Sequence, residues 1–251
     1  MSFFREKKRY PLLDFIRGLT LLSMIGYHGM WDLCNIFGVK CNFFDGFIGR
    51  LWQRSICMTF ILLSGFCFCL GKKHLKRGLV LIGGGGLLTA VTVLLMYENR
   101  IVFGILTFMG TSQLIFIFLE KLLKKINCFL GLVLSICLFV VFYNVNFGYI
   151  GVGKLTFGLP DFLYSNILGT FFGFKEPDFY SADYFSILPW LFLYATGFYL
   201  FYAVGGKKTL EKLPNVSVAP INFIGKHSFV FYMLHQPVVY GVLWMVMSII
   251  Q

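Results

Sequence analysis

One apolar stretch near the start of the chain, residues 12–36, limits the possible folds more than any other part of the sequence. It reads LLDFIRGLTLLSMIGYHGMWDLCNI and is long enough to cross a bilayer, for which about 20 apolar residues suffice. It nevertheless contains Asp14, Arg17, His28 and Asp32. Ionisable side chains inside a membrane are costly, and they mark functional positions by default. The stretch therefore predicts a membrane-spanning helix that carries functional polar groups.

The spacing of these polar residues places them on one face of the predicted helix. Arg17 and His28 lie three turns apart, which corresponds to about 16 Å. Asp32 follows His28 by four residues, the spacing at which helical side chains are in contact. This pattern predicts a base or nucleophile at His28, with Asp32 fixing its tautomer and raising its basicity. The alternative interpretation is a hydrogen-bonded pair that only packs helices together.

Composition extends the membrane interpretation to the whole chain. Hydrophobic residues make up 58% of the 251 residues and charged residues 13%, whereas a soluble domain carries about 25% charge. We therefore predict an all-α, polytopic helix bundle in contact with the lipid bilayer, forming a single domain over residues 1–251. The first residues are basic but lack a small-residue cleavage site, so we expect the first helix to remain as an anchor.

Seven segments are predicted to cross the membrane: residues 12–36, 51–70, 79–97, 101–119, 128–143, 187–204 and 227–250. Cytoplasmic loops are enriched in Lys and Arg, and a cytoplasmic N-terminus places fifteen such residues inside and six outside or at the outer ends of spans. The net charge of +11 is thus explained by topology, and no nucleic-acid partner is expected. Residues 155–174 are also long enough to span, but Pro160, Asp161 and the charge rule favour an extracytoplasmic cap or re-entrant segment.

The last span contains a second histidine, His235, directly before Gln236 and Pro237. Such a histidine either belongs to a site or satisfies carbonyl groups that the proline leaves free. Helix order places Arg17 in the inner leaflet and His28 near the outer surface, with Arg54 near the level of His28. The same arithmetic places His235 near the middle of the membrane.

Three further patterns are not predicted to bind a ligand. GYIGVGKL (residues 148–155) has the glycine and lysine order of a phosphate loop, but it lacks the Ser or Thr that holds magnesium. The four glycines at positions 83–86 are expected to allow close helix packing. The cysteines show no metal-binding spacing, so no metal is expected. A disulfide between Cys34 and Cys41 stays an alternative to two free thiols, because spacing alone does not decide it.

Several motifs resemble those of one family. RGLTLLSMIGYH, TFILLSGF and YMLHQPV resemble segments of the transmembrane acyltransferase superfamily. More narrowly, YHGMWDL, VFGILTFMG, SADYFSILPW and IGKHSFVFYMLHQPV are similar to segments of bacterial membrane proteins grouped with heparan-alpha-glucosaminide N-acetyltransferase. The resemblance covers residues 10–241. It departs from the family pattern at Thr107, where relatives usually have histidine, and at Ser186, where they have proline. The first departure puts a role for the fourth span, and activity itself, in question.

The resemblance implies a plasma-membrane enzyme that transfers an acetyl group from cytosolic acetyl-CoA to an amino or hydroxyl group of an extracytoplasmic glycan. His28 would deprotonate the acceptor or carry the acetyl group itself. The residues assigned to these roles are His28 and Asp32 for catalysis, Arg17, Arg54, Lys72, Lys73, Arg77 and His235 for the donor, and Tyr27, Trp31, Asp183 and Trp190 for the acceptor.

Two other classes of protein fit the same composition. A transporter or flippase for a polar or lipid-linked solute would use the charged face of the first span as a solute path, and Thr107 favours it slightly. A heptahelical receptor is supported only by the number of spans. The sequence leaves the oligomeric state open, a homodimer included.

Overall fold

The computed structural model describes residues 9–213 and 216–250, and nearly all of its regular structure is helical. The predicted inner charges at Arg5, Lys7 and Lys8 lie outside the described residues. The helices are α1 (Pro11–Asn35), α2 (Asn42–Asp45), α3 (Phe47–Phe68), α4 (His74–Leu95), α5 (Ile105–Leu123), α6 (Cys128–Phe142), α7 (Ile167–Phe172), α8 (Ile187–Ala203), α9 (Gly206–Leu210), α10 (Ala219–Lys226) and α11 (Ser228–Ile250). Two strands, β1 (Tyr149–Val152) and β2 (Leu155–Gly158), form one antiparallel hairpin.

Each of the seven predicted spans corresponds to one of the longer helices. Within the described part of the chain, five of them are long and apolar enough to cross a membrane: α3, α4, α5, α6 together with the turn that follows it, and α11. The 25 residues of α1 would reach about 37 Å, but its charged side chains set it apart from the five. The 17 residues of α8 form a shorter apolar helix. Seven crossings therefore remain a proposal.

Contacts along the chain divide it into two units, Met1–Phe60 with Lys207–Gln251, and Ile61–Gly206. In the first unit, α1 packs against α10 and α11. The contact with α10 depends on two glycines, because a Cβ atom on Gly18 would lie 2.0 Å from the Ile221 carbonyl oxygen, and one on Gly225 would lie 1.8 Å from the Asp14 carbonyl oxygen. The two backbones therefore touch directly, which is the usual role of small residues between membrane helices.

Glycines also allow close contacts between helices in the second unit. A Cβ atom on Gly65 would lie 2.0 Å from the Tyr194 carbonyl oxygen, which brings the end of α3 against α8. Of the predicted packing glycines, Gly83 and Gly86 face open space, whereas a Cβ atom on Gly85 would lie 2.3 Å from the Thr107 hydroxyl oxygen. Thr107, which replaces the histidine of the resembled family, thus packs against the backbone of α4.

The connection from α6 to α8 contains short elements only. Residues 148–155, the sequence with phosphate-loop order, lie in the β1–β2 hairpin, whose turn includes Gly153 at φ 58°. Residues 155–174 then form β2, a 3-10 turn and the six-residue α7, so they do not form a spanning helix, as predicted. Cys34 and Cys41 are free thiols.

The serine that departs from the resembled pattern has a specific position before α8. Ser186 is fully buried, and its hydroxyl lies 3.1 Å from the side-chain oxygen of Asn146 and within hydrogen-bonding reach of the Leu188 carbonyl. A proline at this position would lack that hydroxyl, so Ser186 provides a polar link between the connection and α8 that the usual proline cannot.

Candidate active site

Two histidines from opposite ends of the chain lie side by side in the first unit. The ring centroids of His28 on α1 and His235 on α11 are 4.8 Å apart. The predicted difference in depth between them is therefore wrong. The reason is that α10 packs against the first two turns of α1, where Gly225 contacts Asp14 and Gly18, so α11 begins beside α1 only beyond these turns.

The carboxylate of Asp32 lies beside the two histidines but has a different partner from the one predicted. Asp32 is fully buried, and its Oδ1 accepts a hydrogen bond of 2.7 Å from Nε2 of Gln236. No hydrogen bond joins Asp32 to His28 among the described residues. The four-residue spacing placed both on one face of α1, but α11 supplies the amide that Asp32 binds. Gln236 was not assigned a role, although it lies in the YMLHQPV segment that carried the resemblance. His28, Asp32, His235 and Gln236 together form the histidine cluster.

The hydrogen bond that His235 makes to the backbone fixes its tautomer. Its Nδ1 lies 2.6 Å from the carbonyl oxygen of Tyr232. A carbonyl oxygen only accepts, so Nδ1 carries the proton and Nε2 of the neutral ring keeps its lone pair. This contact differs from the predicted one, because Pro237 leaves free the carbonyl of Met233, four residues before it, and not that of Tyr232. It leaves Nε2 of His235 available for other chemistry.

Three acceptor atoms of the histidine cluster are buried without a hydrogen-bond partner. They are Oδ2 of Asp32, Nε2 of His235 and Oε1 of Gln236, and no donor from residues 9–213 or 216–250 reaches them. Buried polar atoms are almost always hydrogen-bonded, and each exception calls for an explanation. Because all three atoms accept, the cluster fits a ligand group that donates several hydrogen bonds.

Aromatic side chains border the histidine pair. The ring of Tyr27 packs edge-on against His28 and Trp52 at centroid distances of 5.8 and 5.5 Å, and it contacts Phe44 of α2 at 5.0 Å. Trp31, one turn further along α1, is half-buried. Tyr27 and Trp31, which were predicted to contact the acceptor, therefore lie on the same helix as His28 and within a turn of it.

Arg17 lies three turns away from His28 along the α1 face. Its Nη1 donates to Oδ1 of Asp14 at 2.9 Å and lies 3.4 Å from the carbonyl oxygen of Gly225. Arg9 also lies 3.7 Å from the other Asp14 oxygen. Arg17 is therefore paired with Asp14, three residues before it, and α10 adds a backbone acceptor.

The other predicted donor contacts are exposed cations. Arg54 is exposed on α3 within the first unit. Lys72 and Lys73 are exposed in the loop before α4, and Arg77 is exposed in the first turn of α4, all within the second unit. Exposed, basic side chains grouped within six residues suit a polyanionic ligand.

The two remaining predicted residues, Asp183 and Trp190, have structural contacts in the second unit. Oδ2 of Asp183 accepts a hydrogen bond of 3.1 Å from the backbone nitrogen of Ile105, which is the first residue of α5. The first backbone N–H groups of a helix lack partners within the helix, so Asp183 caps α5 from a distant part of the chain. Trp190 packs against Phe139 and Phe185 at centroid distances of 5.6 and 5.0 Å.

The carboxyl group of Asp183 should make the stability of the folded protein depend on pH. Burial raises its pKa to about 6, although the Ile105 hydrogen bond acts in the opposite direction. The folded protein then binds a proton more tightly than the unfolded chain, so stability is highest below about pH 4 and falls as pH rises through about 6. Each pKa unit corresponds to about 1.4 kcal/mol, so the loss is on the order of 2–3 kcal/mol. Thermal unfolding of Asp183→Asn between pH 4 and 7 should lack this decline, because the amide stays neutral and still accepts from Ile105.

The matched control is Asp161→Asn, which changes an exposed carboxylate in the same connection. It should keep the wild-type pH dependence. An unchanged decline in Asp183→Asn would show that another group titrates in this range.

A family model described as heparan-alpha-glucosaminide N-acetyltransferase, catalytic, matches residues 9–237 of the chain. The match includes α1, α10 and the histidine of α11, and therefore every residue of the histidine cluster. Searches of curated proteins and of solved structures found no match.

Proposed function

Because the chain belongs to the heparan-alpha-glucosaminide N-acetyltransferase catalytic family and is a multi-pass membrane protein, we propose that it transfers an acetyl group from cytosolic acetyl-CoA to an amino group of an extracytoplasmic glycan. The proposed site is the histidine cluster, in the plasma membrane. The bundle would cross the membrane seven times with a cytoplasmic N-terminus, as the distribution of Lys and Arg supports.

The three unpartnered acceptors of the cluster carry this proposal. A hydroxyl group donates one hydrogen bond, whereas a protonated amine donates three. Oδ2 of Asp32, Nε2 of His235 and Oε1 of Gln236 are three buried acceptors, and the carboxylate adds a negative charge for an ammonium group. An amine therefore satisfies the cluster better than a hydroxyl does, which favours N-acetylation over O-acetylation.

The chemistry assigns a proton transfer to the histidine pair. An ammonium group must lose a proton before its nitrogen attacks the thioester carbonyl, and the histidine pair supplies an imidazole nitrogen that can accept this proton. The new C–N bond replaces the C–S bond, and coenzyme A leaves with a proton as the thiol. Asp32 accepts a hydrogen bond from the side-chain amide of Gln236 and so orients this amide, which faces the acceptor. His28 could alternatively take the acetyl group first and pass it to the amine.

The proposed donor contacts are cations, which suit the phosphates of coenzyme A. Arg17 lies along α1 from the histidines, and Arg54, Lys72, Lys73 and Arg77 are exposed. Guanidinium groups bind phosphate oxygens in a fixed, two-pronged geometry. For the acceptor sugar we propose Tyr27 and Trp31, because aromatic faces pack well against sugar rings. Asp183 and Trp190 remain proposals for the same role, in addition to their capping and packing contacts.

The proposal predicts a specific product in a reconstituted system. Purified chain in proteoliposomes, supplied with labelled acetyl-CoA, should acetylate glucosamine, and the label should resist hydroxylamine because an amide is more stable than an ester. Glucose, which offers hydroxyl groups only, should be labelled at least about 10-fold more slowly, the effect of leaving buried acceptors unpaired. A hydroxylamine-sensitive product would contradict N-acetylation. Sugar uptake without any acetyl transfer would contradict the enzyme and favour a transporter.

A further inference from the structure

A cavity in the second unit lies between the turn that precedes α5 and the connection that precedes α8. Its volume is about 470 Å³, which falls in the range of small-molecule sites. Its lining includes three charged and three aromatic residues: Arg100, Tyr164, Glu176, Asp178, Phe179 and Tyr180. The cavity shares no residue with the histidine cluster.

The cavity presents charged groups of both signs. The guanidinium carbon of Arg100 lies over the rings of Tyr97 and Tyr180, at 4.4 and 5.4 Å from their centroids. Neither Arg100 nor the carboxylates of Glu176 and Asp178 form a salt bridge with any described residue. The guanidinium group of Arg100 therefore offers several hydrogen-bond donors, and the two carboxylates offer acceptors.

The walls of the cavity are held in place by hydrogen bonds. The Tyr164 hydroxyl donates to the Val145 carbonyl at 2.6 Å, and the backbone nitrogen of Glu176 donates to the Thr170 hydroxyl at 3.0 Å. The backbone nitrogen of Val102 donates to the Ser181 hydroxyl at 3.0 Å. The first two bonds hold the connection itself in shape, and the third joins it to the turn that precedes α5, so the shape of the cavity is set before a ligand arrives.

One lining residue, Phe179, packs against a residue with an unusual backbone conformation. Phe103 has φ 56°, and its ring stacks on that of Phe179, with 6.0 Å between centroids. A left-handed conformation is rare for a bulky residue, and such conformations are concentrated at ligand sites. Phe103 places Phe179 in the lining of the cavity.

We propose that this cavity is a carbohydrate subsite that binds one sugar unit of an oligosaccharide. Sugar hydroxyls both donate and accept hydrogen bonds, so they match a guanidinium beside two carboxylates. The C–H faces of a sugar ring pack against rings such as those of Tyr164, Phe179 and Tyr180. An apolar ligand would bury three charged groups without partners, and an anion would meet more negative than positive charge. Sugar binding here requires no acyl transfer, so the subsite goes beyond the proposed function.

The test is calorimetric titration of the detergent-purified full chain with the tetrasaccharides of glucosamine and of glucose. At least one should bind, and Tyr180→Ala should weaken binding about 5-fold through lost stacking. Glu176→Gln should weaken it about 10-fold through the loss of a charged acceptor. Two matched variants of exposed residues outside the cavity, Phe162→Ala and Asp161→Asn, should bind like wild type. Unfolding temperatures near that of wild type would establish that both cavity variants fold.

Three results would overturn the subsite. The first is that neither tetrasaccharide binds at about 10 mM. The second is that the cavity variants and the control variants weaken oligosaccharide binding equally. The third is that a tetralysine peptide binds more tightly than the tetrasaccharides, which would identify a site for basic peptides. His28→Ala separates this test from that of the proposed function. It should lose acetyl transfer but keep the oligosaccharide affinity.

Discussion

Replacing His28 with alanine should abolish acetyl transfer while leaving acetyl-CoA binding nearly unchanged. The loss of turnover should be at least the 10²–10⁴-fold that is typical of removing a general base, and larger if His28 carries the acetyl group. Binding should persist because the cations proposed for the donor phosphates are other residues. Donor binding is measurable as a rise in unfolding temperature with acetyl-CoA concentration, since a ligand that binds only the folded state stabilises it.

Variants of other residues on α1 show whether His28 acts in catalysis or only stabilises the fold. Arg17→Ala should instead weaken donor binding by roughly 10–150-fold, the effect of losing a charged hydrogen bond of about 1.5–3 kcal/mol. Asp32→Asn should resemble a weaker His28 variant, because it disturbs the contact with Gln236 and not the imidazole itself. The matched control is His227→Ala, which removes an exposed imidazole after α10 and should keep full activity. If His28→Ala folds, binds the donor and transfers acetyl at the wild-type rate, the proposed mechanism is wrong.

Replacing Gly225 with valine should prevent α1 and α10 from packing. The new Cβ atom would lie 1.8 Å from the Asp14 carbonyl oxygen and 2.9 Å from the Gly18 nitrogen. Both atoms are backbone, so no side chain can rotate away and the helices must separate. Overpacking costs about 1–3 kcal/mol where side chains adjust, and a backbone clash belongs at or above the upper end. For a chain of this size, about 3 kcal/mol corresponds to a fall in unfolding temperature of roughly 6–12 °C.

The matched control for this variant is Gly241→Val, within the same unit. Gly241 lies on α11, and a Cβ atom there would meet nothing within 4 Å. The same substitution should therefore be tolerated at that position. The unfolding temperature of each detergent-purified variant, with its yield of monodisperse protein, decides the comparison. Equal effects at Gly225 and Gly241 would mean that valine acts through helix propensity and not through the contact with α1.

The positions of the helices and the polar face of α1 could be predicted from the sequence. Apolar runs of membrane length correspond to the long helices, and the distance along one helix follows from its fixed rise per residue. His28 and His235 were therefore recognised individually as candidate site residues. The motifs of α1 and α11 also pointed to the family that the family model shows. These inferences need only local geometry and composition.

The partners of these residues were decided by the tertiary structure. Asp32 was predicted to contact His28, four residues away, but its hydrogen bond goes to Gln236, 204 residues away. The contact by which Asp183 caps α5, from a point 78 residues further along the chain, was not predicted. Helical spacing fixes which side chains share a face but not which helix packs against that face. That choice depends on where backbones can approach each other. The close contacts of Gly18 on α1 and Gly225 on α10 hold these two helices together, and α11, which follows α10, then brings His235 beside His28.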